Sequence, residues 1–225
     1  MSAPGYSPQP GIASTPSGIK NGPMTLRHAI ETTFSGRAFL RPLFYAYPEG
    51  LRFELSEGET AIGLFLSAHR KASTICADIF DGNDSLTVCL HCYHFDESRF
   101  SYRQILKSLS DAGIDIPAVR EFWLEGRDEE GVSSVYLAFE APVHLLPNLL
   151  WCALVSDFGS IEPKPGGSWY LFNLQKGLLV FPYDDRGMDV VGPNRDLLAM
   201  LYRKYGAYLL DHDMPTMRQS FEADA

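Results

Sequence analysis

The sequence predicts an α+β fold, a largely antiparallel sheet of about six to seven strands covered by four to five helices. Three observations carry that expectation. An apolar run, Leu178-Leu179-Val180-Phe181-Pro182-Tyr183, meets a charged turn, Asp184-Asp185-Arg186-Gly187, and then a second apolar run through Met188, Val190 and Val191; this is the pattern of a hairpin closing a sheet. Between residues 86 and 174 the periodicity runs strand, helix, strand, strand, helix, strand, the split βαβ succession of ferredoxin-like layers. Hydrophobic residues make up 45% of the 225, enough apolar surface to bury one sizeable core.

Residues 1–23 hold Pro4, Pro8, Pro10, Pro16 and Pro23 among Gly and Ser, with almost no large apolar side chains. They read as a flexible tail ahead of a single domain over residues 24–212. A first helix over 24–37 has Thr25 as its cap and Leu26, Ile30 and Phe34 near helical spacing. Leu51, Phe53 and Leu55 then alternate with Arg52 and Glu54 as in a half-buried strand, and the Pro48-Glu49-Gly50 turn would let the Phe44-Tyr45 segment pair with it. A broad apolar face predicts a helix over 60–80, ended by Asp81-Gly82-Asn83-Asp84.

Next come a strand over 86–95, a helix over 99–112 stopped by Gly113, and a strand over 119–125 whose partner, 134–140, lies across the polar turn 127–131. A helix over 143–158 and a strand over 169–174 lead through Gln175-Lys176-Gly177 into the hairpin. Gly192-Pro193 opens a last amphipathic helix over 194–210, and residues 213–225 read as a frayed polar end.

Composition limits the chemistry. The longest apolar stretch, 141–155, is short for a membrane span and is interrupted by His144, Pro147 and Asn148. Cys76, Cys89, Cys92 and Cys152 all lie in apolar segments and no secretory leader pattern is seen, so the expectation is a reduced, cytoplasmic protein with no membrane partner. A net charge of −9 repels phosphate backbones, which argues against direct nucleic-acid binding and suits a basic protein partner. Cys89-Leu90-His91-Cys92 with His94 has metal-like spacing, but strand alternation sends 89 and 91 to one face and 92 and 94 to the other; no metal or other cofactor is expected. There is no GxSxG elbow, and Gly166-Gly167-Ser168 does not open a helix as a phosphate cradle does. Asp184, Asp185 and Asp189 around Arg186 are a group able to bind a cation or a guanidinium, and equally the content of a salt-linked turn.

Three stretches together carry a resemblance: 43–55 (LFYAYPEGLRFEL), the helix over 70–80, and Tyr183-Asp184-Asp185-Arg186-Gly187-Met188-Asp189 followed by Leu201-Tyr202-Arg203-Lys204-Tyr205. The sequence resembles an uncharacterised bacterial family, domain of unknown function DUF3885, over roughly residues 43–211. Lys71-Ala72 departs from the Arg-Ala expected there. The family implies no established reaction. Small acidic cytosolic proteins of such α+β families often accompany secreted toxins, so the resemblance is compatible with an immunity role.

The leading expectation is therefore an immunity-type inhibitor that occludes the active site of a cognate toxin with a basic cleft. Its candidate surface is Tyr183, Asp184, Asp185, Arg186, Asp189, Tyr47, Glu49, Arg52 and Glu54, with no residue assigned as catalytic. One alternative is an enzyme built on Arg52, Glu54, Asp184, Asp185 and Arg186 and acting on a small polar or phosphorylated ligand. Another is a scaffolding module with an exposed apolar patch.

Overall fold

The computed structural model describes residues 25–95, 102–126, 132–159 and 161–222. The tail read over 1–23 and the turn read over 127–131 lie outside them. The elements run α1 (Leu26–Thr33), β1 (Leu51–Glu54), α2 (Ala61–Ile79), β2 (Ser85–Phe95), α3 (Tyr102–Asp111), β3 (Arg120–Glu125), β4 (Val132–Pro142), α4 (Leu146–Leu154), β5 (Ser168–Asn173), β6 (Leu178–Asp184), β7 (Gly187–Val191), α5 (Arg195–Lys204) and α6 (Met214–Glu222). Short 3-10 turns occupy Phe44–Ala46, Val143–Leu145, Gly206–Tyr208 and Asp211–Asp213. The fold is α+β.

Side-chain caps start three of the helices: Thr25 accepts from the His28 N–H, Thr60 from the Gly63 N–H and Asn194 from the Leu197 N–H. The strands form one seven-stranded sheet in the order β1-β7-β6-β5-β2-β4-β3, antiparallel throughout. The succession from β2 to β5 lies as β5-β2-β4-β3, and β6, β7 and β1 extend the sheet beyond β5.

The two faces bury different cores. On one, the aliphatic sides of β1, β2, β4, β5, β6 and β7 pack beneath α2, α4, α5 and α6, with Phe53, Ile75, Leu150, Trp169 and Leu201 almost wholly enclosed. On the other, α1 and the segment after it cover a largely aromatic layer that includes Phe34, Tyr136, Tyr170, Phe172 and Phe181. Phe39 meets Tyr136 and Tyr170 at ring separations of 4.8 and 5.0 Å. Because β6 and β7 lie inside the sheet with a core on each face, their residues are buried almost throughout rather than alternately.

Alternation along β2 sends Cys89 into the aromatic layer and leaves Cys92 half-buried against the aliphatic one. Burial raises both thiols, Cys92 to about 11. None of the described helices is long and apolar enough to cross a membrane.

Two expectations are corrected. Phe44 and Tyr45 form a 3-10 turn instead of a strand, and β1 pairs with β7, Leu51 opposite Val190 and Phe53 opposite Met188. Pro42 and Pro48 bracket the segment and remove ladder donors at both ends, while the Phe44 N–H is taken by the Asp189 carboxylate. At the other end, residues 214–222 are helical rather than frayed, because Met214, Met217 and Phe221 make an i, i+3, i+7 stripe against the core. Phe221 stacks on Tyr202 at 5.2 Å. The connection before α6 closes the β1 edge: the Leu210 N–H donates to the Arg52 carbonyl at 2.9 Å and Leu209 bridges to Phe53.

Candidate functional site

Between Pro182 opposite Met188 and Asp184 opposite Gly187, β6 carries one residue more than β7, and Tyr183 is the unpaired one. β5 pairs with β6 only as far as Val180, so the N–H that Pro182 lacks falls where the ladder has already ended. The bulge turns the Tyr183 ring across Gly187, and any Cβ there would overlap the phenol. That close approach explains the glycine in Asp-Arg-Gly-Met-Asp.

Beside this ring lies a buried ionic knot. Arg52, on β1, donates from Nε to Asp189 Oδ1 at 2.8 Å, from Nη2 to Asp189 Oδ2 at 3.2 Å, and from Nη1 to Asp213 Oδ2 at 3.1 Å. Asp189 also accepts from the Phe44 N–H at 3.0 Å, and Asp213 from the Tyr45 hydroxyl at 2.8 Å. The rings of Phe44, Tyr45 and Tyr183 sit 4.9, 5.1 and 5.8 Å from the guanidinium carbon. Burial works against the Arg52 charge, and the hydrogen bonds and charge of Asp189 overcome it, so the guanidinium is held above its ordinary pKa. Burial lifts the Asp189 carboxyl, and Arg52 and the Phe44 N–H oppose that lift. The knot ties β1, β7, the 44–46 turn and the 211–213 turn together.

Its outer side opens on a cleft of about 460 Å³ lined by Arg41, Pro42, Leu43, Arg52, Phe181, Tyr183 and Asp189. Tyr183 is 37% exposed there, and burial beside Asp189 pushes its phenol up to about 12. Arg41 forms the rim: its Nε and Nη2 both donate to the Tyr170 hydroxyl, at 3.2 and 3.1 Å, and its guanidinium lies 5.0 Å from the Phe181 ring. Sequence reasoning named Arg52, Tyr183 and Asp189 but missed Arg41 and Asp213, which stand in stretches without periodicity.

The remaining expected residues lie elsewhere. Asp184 accepts from the Arg186 backbone N–H at 2.8 Å and from its guanidinium, closing the β6–β7 turn on itself. Asp185 is nearly buried at that turn; burial raises its carboxyl, and Asp184 and Asp157 raise it further. Glu54 opposes Gly187 with its side chain exposed. Tyr47 and Glu49 line a separate hollow of about 230 Å³ with Thr33, Arg37 and Pro193. There Arg37 lies over the Tyr47 ring at 4.7 Å, and Glu49 pairs with Arg195 at 2.8 Å. Of Arg52, Glu54, Asp184, Asp185 and Arg186, the cleft takes in Arg52 alone. Among the described residues no group of three or more His, Cys, Asp or Glu side chains is placed to hold a metal ion.

A family model described as domain of unknown function (DUF3885) matches residues 26–213. The chain belongs to this family. No curated protein and no solved structure matches it. The DUF3885 match begins on α1 and ends at Asp213, so both carboxylate partners of Arg52 fall inside it and α6 falls outside. Within this DUF3885 domain, the Asp-Asp-Arg-Gly-Met-Asp string has two tasks: Asp184 and Arg186 close the turn, while Asp189 anchors Arg52.

Proposed function

We propose that this DUF3885 protein is an immunity-type binding protein of the cytoplasm that neutralises a cognate protein toxin by occluding its active site. The observation that carries the reading is the crowding of negative charge at the end of the sheet where β6 turns into β7. Asp184 and Asp185 sit in the turn, Asp157 is close enough to raise Asp185, and Glu54 lies opposite Gly187. Lys71 holds Glu57 at 3.5 Å nearby, and Arg186 is engaged by Asp184. Burial first, and then the neighbouring carboxylates, make ionised Asp185 a cost to folding; such a cost suits a site kept for a basic partner, to which Glu54 offers an exposed charge.

The test is to mix the purified chain with the product of a neighbouring toxin-like gene and look for a complex by size exclusion and calorimetry. Complex formation should weaken as salt is raised. No complex at either low or physiological salt would count decisively against the proposal. Asp185→Asn should weaken binding by about tenfold while leaving the fold intact, with a raised Tm at neutral pH.

Acid should remove that stability difference. The folded chain holds the Asp185 proton more tightly than the unfolded chain does, so the destabilisation is absent below the ordinary carboxyl value of 3.8 and grows as pH rises through the raised one. Thermal melts of parent and Asp185→Asn chains should therefore converge in acid and separate towards neutrality. A lower Tm for the variant at neutral pH would contradict the assignment.

A further inference from the structure

We propose that the cleft at Arg41 is a binding site for a small organic monocarboxylate with a flat apolar body. This goes beyond the toxin-binding reading and does not depend on it, since the acidic turn and the cleft share none of their lining residues. Four arginines of the structure are already taken up by carboxylates: Arg27 by Glu31 and Glu125, Arg52 by Asp189 and Asp213, Arg186 by Asp184, and Arg195 by Glu49. Arg41 is held differently. Tyr170 takes its Nε and one Nη2 hydrogen, Phe181 stacks beneath it, and among the described residues no carboxylate comes within ion-pair distance.

A guanidinium carries five donors in a planar fork, so this arrangement leaves its outer Nη1–Nη2 edge open. That edge is the one able to take a carboxylate through two parallel hydrogen bonds. Because stacking and the Tyr170 hydroxyl fix the plane, little rotamer freedom remains to be lost on binding.

The rest of the cleft sets the body of the ligand. Pro42, Leu43, Phe181 and Tyr183 supply apolar and aromatic walls, and a volume of about 460 Å³ lies in the range of small-molecule sites. The Asp189 carboxylate on the floor is saturated by Arg52 and the Phe44 N–H, so it does not call for a cation. Its remaining negative charge, with Asp213 behind it, disfavours a phosphate dianion relative to a singly charged carboxylate.

The experiment is a titration of the full-length protein with 2-naphthoate, benzoate, the matching neutral amides and inorganic phosphate. It is followed by calorimetry and by the Arg Nε–Hε and aromatic NMR signals. Naphthoate should bind saturably and shift the Arg41, Phe181 and Tyr183 signals, while naphthamide and phosphate should bind at least about tenfold more weakly. Arg41→Gln should lose about tenfold or more in naphthoate affinity with an unchanged Tm, because the side chain is exposed. Arg41→Lys keeps the charge but not the fork, and should fall between the two. Tyr170→Phe, which frees the guanidinium to rotate, should weaken naphthoate several-fold. The proposal is overturned if no carboxylate binds saturably up to ~10 mM, if the amides bind equally well, or if Arg41→Gln binds like the parent.

Discussion

Replacing Arg52 with alanine is expected to lower the unfolding free energy by about 3–5 kcal/mol, because it strands a buried carboxylate on β7 and unties two turns. In a domain of this size that corresponds to a fall in Tm of roughly 10 °C. The size of the effect follows from burial: the Asp189 side chain is 2% exposed and that of Arg52 14%, so neither water nor salt can replace the lost partner. Arg52→Lys should recover only part of the loss, since one ammonium cannot face both Asp189 oxygens and Asp213 together. An Arg52→Met, Asp189→Leu double variant should recover only part of the loss, because Asp213 stays buried without its cation and the Phe44 N–H loses its acceptor. Stability of the Arg52→Ala chain should rise as pH falls, since a buried Asp189 without its cation takes up a proton more readily than the unfolded chain does. Urea unfolding across pH checks all of this. A loss under about 1 kcal/mol, the range of an exposed ion pair, would refute the view of Arg52 as a buried knot.

That knot also marks the boundary of what one sequence can tell. Local chemistry was legible: Thr25 as a cap, the Asp184-to-Gly187 turn, the pairing of β3 with β4, and the opposite faces of Cys89 and Cys92 all follow from neighbours a few residues apart. Long-range pairing was not. Nothing in Leu51-Arg52-Phe53-Glu54 says that its partner is 136 residues on, at Gly187–Val191, and not the aromatic segment just before it.

The same limit governs the site. Asp184, Asp185, Arg186 and Asp189 are adjacent in sequence, so they read as one cluster, yet the hairpin places the first three at its turn and Asp189 within β7, two residues past Gly187. Arg41 and Asp213 stand outside any periodic segment, and only the folded chain brings them to Phe181 and Arg52. The stripe of Met214, Met217 and Phe221 was readable, but three apolar residues within a polar end are a weak signal until a core is there to receive them.

Gly192→Ala is the second change expected to be severe, costing about 3 kcal/mol or more, because it combines strain with steric overlap. Gly192 has φ of +151°, a region L residues rarely enter, and a Cβ on it would run into the Gly177 carbonyl oxygen. The contact cannot relax cheaply, since Gly177 belongs to a turn fixed from several sides. Asn173 Oδ1 accepts from the Lys176 N–H at 3.0 Å, and its Nδ2 donates to the Ile79 carbonyl at 2.8 Å. Asn194 donates to the Lys176 carbonyl at 2.9 Å while capping α5. Moving that turn away from Gly192 therefore loosens the end of α2, the β5–β6 connection and the start of α5 together. Gly206→Ala is the matched control: a Cβ there meets nothing within 4 Å and its φ lies outside the positive region, so loss of unfolded-state entropy should leave stability unchanged or up by about 0.4–1 kcal/mol. Denaturant melts of the two alanine variants should differ by several kcal/mol. If they coincide, the turn is not held from both sides as the hydrogen bonds of Asn173 and Asn194 require.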